Sequence, residues 1–153
     1  AGKNFEDTFT TYKVLYKCNQ IAYTDLQLYY YLRNEKGISR SPWKPSELVI
    51  FDAMQEQMQF YKENGFNKAF QKEFKLFVSH HAFQIARIKE NKTDFNKNKS
   101  ILKDIKKNLK KLLKENKDKF NVHNMTYSYE AAYPFIMKLY ALGSKMKAKL
   151  LRK

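Results

Sequence analysis

The chain has 153 residues, enough for one core-burying domain, and its 43% hydrophobic and 16% aromatic content excludes disorder throughout. Thirty Lys and Arg against fifteen Asp and Glu give a formal charge of +15, which argues for an anionic partner: phospholipid, nucleic acid or a phosphorylated substrate. The single Cys18 excludes a disulfide framework and a Cys-based metal site and suits a reducing cytoplasm, and no run of about eighteen apolar residues is available to span a membrane.

In chain order, Phe5, Phe9, Tyr12, Leu15 and Tyr16 recur at helical spacing and predict a helix from Glu6 to Cys18. Ile21–Tyr23 and Leu28–Leu32 are short β-rich runs joined by Thr24-Asp25, which reads as a small hairpin or two edge strands. Gly37, Ser39, Ser41, Pro42 and Pro45 mark a loop. Pro45 then opens a helix carrying Leu48, Phe51, Met54, Met58 and Tyr61, and Asn64-Gly65 closes it.

A third helix is expected over Asn67–Glu90, with Phe70, Phe74, Phe77, Val78, His81, Ile85 and Ile88 along one side. A polar break at Asn91–Asn98 precedes a fourth helix, Lys99–Lys117. Its stripe of Ile101, Leu102, Ile105, Leu109, Leu112 and Leu113 opposes Lys103, Lys106, Lys107, Lys110, Lys111 and Lys114. After a second break at Asn121–Tyr127, a last helix starts near Glu130 or Pro134 and runs into a basic tail, Lys145 to Lys153.

The opening is the part that suggests chemistry. Glu6-Asp7, then Ile21-Ala22-Tyr23-Thr24-Asp25, then Leu28-Tyr29-Tyr30-Tyr31-Leu32-Arg33 and Gly37-Ile38-Ser39-Arg40 form an ordered series. This series resembles the end of the catalytic domain in bacterial family-two glycosyltransferases of the GT-A type, over the first quarter of the chain. The resemblance implies a C-terminal piece of a longer enzyme. It would be mainly α with a small β hairpin: residues 1–43 ending the catalytic domain, residues 44–153 forming a helical accessory region.

The implied activity is inverting transfer of a sugar from a nucleotide-sugar donor to a saccharide or lipid-linked acceptor in surface polysaccharide synthesis, the piece alone being inactive. Asp7 is then the general base and Glu6 its neighbour, because a carboxylate can take the acceptor hydroxyl proton as attack proceeds. Taken alone, the same pair reads as helix N-terminal acids favoured by the macrodipole. Arg33, Ser39 and Arg40 would contact a diphosphate leaving group or an acceptor phosphate. The family's divalent cation, Mn or Mg, belongs to an Asp-x-Asp motif that this chain lacks.

Three further groups have two readings each. Trp43 suits sugar stacking or surface anchoring. His80 and His81, adjacent on a helix, point about 100° apart and make a poor metal pair. The Lys face of the fourth helix and the basic tail suit an anionic membrane surface, at the inner face of the cell membrane, or a solvated bundle face. A basic helical nucleic-acid-binding or protein-interaction module is the alternative function. Nucleic acid ranks low as a partner, because that module leaves the opening series unexplained.

Overall fold

The computed structural model describes residues 5–30 and 41–139. Among the described residues the helices include α1 (Glu6–Lys17), α2 (Val49–Glu63), α3 (Asn67–Glu90), α4 (Lys99–Glu115) and α5 (Thr126–Ala132), with a 3₁₀ turn at Pro45–Leu48 leading into α2. Residues 134–139 are helical as well. No strand occurs among the described residues. The chain divides into two compact units, residues 1–73 and 74–153.

In the first unit α1 lies on α2 through aromatic rings. Tyr12, buried at 6% exposure, has its ring centroid 4.9 Å from Phe60 and 5.9 Å from Tyr61. Tyr16 meets Phe60 edge-on at 5.1 Å and Phe66 at 5.9 Å. Such tilted and edge contacts add about 0.5–1.5 kcal/mol each beyond the area they bury. Lys13 forms an ion pair with Glu56, and the Tyr12 hydroxyl donates to the same carboxylate at 3.5 Å. Burial, followed by the Glu56 charge, raises the Tyr12 pKa.

The end of α2 follows from Gly65. Its φ of +73° reverses the chain, Phe66 N–H bonds back to the Tyr61 carbonyl at 2.8 Å, and Gly65 N–H bonds to Lys62 at 3.3 Å. That bond pair is the Schellman motif, and the Phe66 and Tyr61 rings, 6.3 Å apart, supply its apolar contact. Trp43 is 2% exposed. It is a core side chain, which removes both the sugar-stacking and the surface-anchoring expectations.

In the second unit α3 buries Phe77, Val78, His81, Ala82, Gln84, Ile85 and Ile88, and α4 buries Leu102, Ile105, Leu109 and Leu113. α4 packs on α5, whose Ala131 and Ala132 let it approach closely. Phe120 and Met125, from the connection between them, are also buried, and the Phe120 ring lies 5.5 Å from Phe74.

The expected β hairpin is absent from the described residues, and Tyr31 and Leu32, the end of its second run, lie outside them. Over the described part of that segment the backbone bonds are local turns: Leu28 N–H to the Leu26 carbonyl at 3.0 Å and Leu26 N–H to the Thr24 hydroxyl at 3.2 Å. Tyr23 and Tyr30 are 92% and 93% exposed. A β-rich run becomes a strand only with a neighbouring strand to bond, and none is present there. The fold of the described residues is therefore mainly α without a hairpin, which corrects the expected class.

Candidate functional site

Only the first part of the opening motif falls among the described residues. Glu6 and Asp7 sit in the first turn of α1, both exposed. Asp7 Oδ1 accepts the Thr8 N–H at 2.8 Å and its hydroxyl at 3.4 Å, so its observed partners belong to helix initiation. Arg33, Ser39 and Arg40 lie outside the described residues. Among the described residues, no three His, Cys, Asp or Glu side chains come together to hold a metal ion.

A GT-A site is carried on the edge of a parallel-stranded sheet, and the described residues contain helices alone. The glycosyltransferase resemblance is overturned on that ground. The readings that depended on it fall too: sugar transfer, membership of a transferase and a role in polysaccharide synthesis.

His80 and His81 are engaged within α3. The His81 ring packs edge-on to Phe77 at 4.9 Å, and its Nδ1 lies 2.9 Å from the Phe77 carbonyl. His80 lies beside Phe83, 5.6 Å between centroids. Burial lowers the pKa of both rings.

The charged face of α4 is open to solvent. At about 100° per residue, Lys99 through Lys114 place all their lysines within an arc of about 140°. Leu102, Ile105, Leu109 and Leu113 fall on the opposite side, in the core. Lys103, Lys107, Lys110, Lys111 and Lys114 are exposed. Asp104 and Glu115 stand at the edge of the arc, and Lys111 pairs with Glu115 at 3.9 Å. At these exposures, 71% and 56%, such a pair neutralises little.

Lys106 reports the crowding: burial first, then Lys89 and Lys110 nearby, lowers its pKa. Like charges held together on a rigid helix gain when an anion is placed among them.

Aromatic and apolar surface adjoins this face. Lys110 Nζ stands 5.2 Å from the centroid of Tyr133, within cation–π range. Tyr133 contributes to two depressions. One, of 440 Å³, is walled by Lys110, Lys111, Lys114 and Glu115. The other, of 350 Å³, is lined by Leu113, Val122, Tyr129 and Met137 among others, with Lys114 and Lys117 also lining it. The Tyr129 hydroxyl donates to the Phe120 carbonyl at 3.0 Å, which fixes that ring.

The lysine arc was readable from the sequence by its period. Tyr133 and the cleft were not singled out, although Tyr129 and Tyr133 at a spacing of four, next to a lysine helix, were the available signal. The basic tail, Lys145 to Lys153, lies outside the described residues. No family model, no curated protein and no solved structure matches this chain.

Proposed function

We propose that the chain is a basic helical nucleic-acid-binding module whose contact surface is the lysine face of α4. One observation carries the reading: Lys103, Lys107, Lys110, Lys111 and Lys114, all exposed, share one side of a helix whose opposite side is buried. The apolar stripe that a bilayer-lying helix would insert is occupied in the core, so the free face has electrostatic contact to offer and little insertion. From Lys103 to Lys114 the helix rises about 16 Å, and each of these five lysines can take one phosphate from its own side. Asn and Gln side chains suited to bidentate base reading do not dominate that face, so the contact is to the backbone and independent of sequence.

The test is a fluorescence-anisotropy titration with labelled oligonucleotides over a salt series. Five phosphate contacts give a slope of log K against log salt of about −4.5 on duplex and about −3.5 on a single strand. Between 50 and 200 mM salt the affinity then falls about 500-fold or about 100-fold respectively. Lys107→Gln and Lys111→Gln should each reduce the slope by about one. No binding at 20 mM salt, or tighter binding to anionic phospholipid vesicles than to any oligonucleotide at matched salt, would sink the proposal.

A further inference from the structure

We infer that the nucleic acid is single-stranded, with a base seated on Tyr133 in the 350 Å³ cleft while the flanking phosphates lie along the lysines of α4. The inference rests on the nucleic-acid reading and adds the class of ligand. Its ground is the junction of two surfaces that are usually separate. Tyr133 belongs at once to the lysine-walled depression and to the apolar cleft, so a strand following the lysines meets a ring and a hole at one point.

The cleft suits a base for three reasons. Its volume is at the lower end of the range of small-ligand pockets, and its wall of Leu113, Tyr129 and Met137 is apolar. Tyr129 is already fixed by its bond to the Phe120 carbonyl, and its ring lies 6.2 Å from Tyr133 at 33°, so the two rings form a preorganised platform. Finally, Lys110, now over the Tyr133 ring, and Lys114, common to both depressions, are cations within reach of the phosphates on either side of a seated base.

A duplex cannot use this arrangement, because its bases are paired and stacked, and extruding one costs a few kcal/mol. A single strand presents its bases, and stacking on an aromatic side chain tolerates any sequence. Glu115 is the one acid lining the lysine-walled depression, against three lysines, Lys110, Lys111 and Lys114.

The experiment compares a single-stranded 12-mer with the duplex of the same sequence at 100 mM salt, for the unaltered chain and for Tyr133→Leu and Tyr133→Phe. The single strand should bind at least about ten-fold tighter than the duplex. Tyr133→Leu, which keeps apolar bulk without a ring, should weaken single-strand binding by about 5- to 100-fold and leave duplex binding unchanged. Tyr133→Phe should restore it, since the ring is what stacks.

Far-ultraviolet circular dichroism shows whether Tyr133→Leu folds. If it does not, Val122→Lys at the cleft wall replaces it, blocking the seat while adding charge. That variant should lower single-strand affinity even as duplex affinity rises. Equal affinities for the two forms, or indifference to the loss of the ring, overturn the base seat and leave the lysine reading standing. Failure to bind either form at 20 mM salt overturns both.

Discussion

Gly65 holds φ at +73°, where an L side chain is strained, and a Cβ added there would meet nothing within 4 Å. Replacing it therefore isolates backbone strain from crowding. Gly65→Ala should destabilise the chain by about 1 kcal/mol, and Gly65→Asn by less, since Asn tolerates the left-handed region. Urea unfolding followed by circular dichroism measures both. A neutral Gly65→Ala would mean that α2 does not end in this turn. His81 gives a second residue-scale prediction. Its folded pKa lies below the unfolded value of about 6.5, because burial disfavours the charged ring. The unfolded chain then binds the proton first, so His81 and His80 contribute full stability above about pH 6.5 and lose it as pH falls toward their folded values. Glu73, raised by burial, acts in the opposite sense at lower pH. The difference between the parent and His81→Leu removes its contribution. Thermal melting at pH 7.5 and 5.5 should show a smaller drop for His81→Leu than for the parent, and equal drops would remove His81 as the cause.

At the scale of elements, α4 separates stability from binding across its axis. Leu109 is fully buried and Lys107 is exposed. Leu109→Ala should cost about 2–5 kcal/mol in urea unfolding, while Lys107→Gln stays within about 0.5 kcal/mol and changes oligonucleotide affinity instead. Loss of stability in the lysine variant would make that face structural. The helices were legible because their apolar residues return every three or four positions and because stop signals are local. The Asn67–Glu90 range of α3 coincides with its apolar run, and the Asn64-Gly65 stop before it is a two-residue motif. The strand expectation failed for the complementary reason. Ile21, Tyr23 and Leu28 to Tyr30 have the composition of strands, but pairing depends on a partner elsewhere, which no local window contains. The same limit applies to the site. The lysine arc lies on one helix and repeats with its period. The cleft draws on Leu113, Val122, Tyr129 and Met137, from α4, a connection, α5 and the helical residues 134–139, and no single period joins them.

At the scale of the whole molecule, a net charge of +15 repels itself, and the lysines gathered on one side of α4 are part of that repulsion. Without ligand, salt should therefore stabilise the chain. Raising NaCl from 10 to 150 mM shortens the Debye length from about 30 to about 8 Å and should raise Tm by a few degrees, on the scale of about 2–4 °C per kcal/mol. An oligonucleotide in excess should reverse that dependence. At 10 mM salt it binds the folded state, fills the positive face and raises Tm by mass action. Added salt then releases it and lowers Tm toward the ligand-free value. The triple change of Lys107, Lys110 and Lys111 to Gln should act in two directions at once, raising the low-salt Tm of the free chain and abolishing the oligonucleotide's effect. Differential scanning fluorimetry with and without a 12-mer, at three salt concentrations, reads both. A ligand-free Tm indifferent to salt, or a triple variant no more stable than the parent at 10 mM, would show that the charges are already dispersed in solvent. The crowding of lysines on α4 would then be no reason for that face to hold an anion.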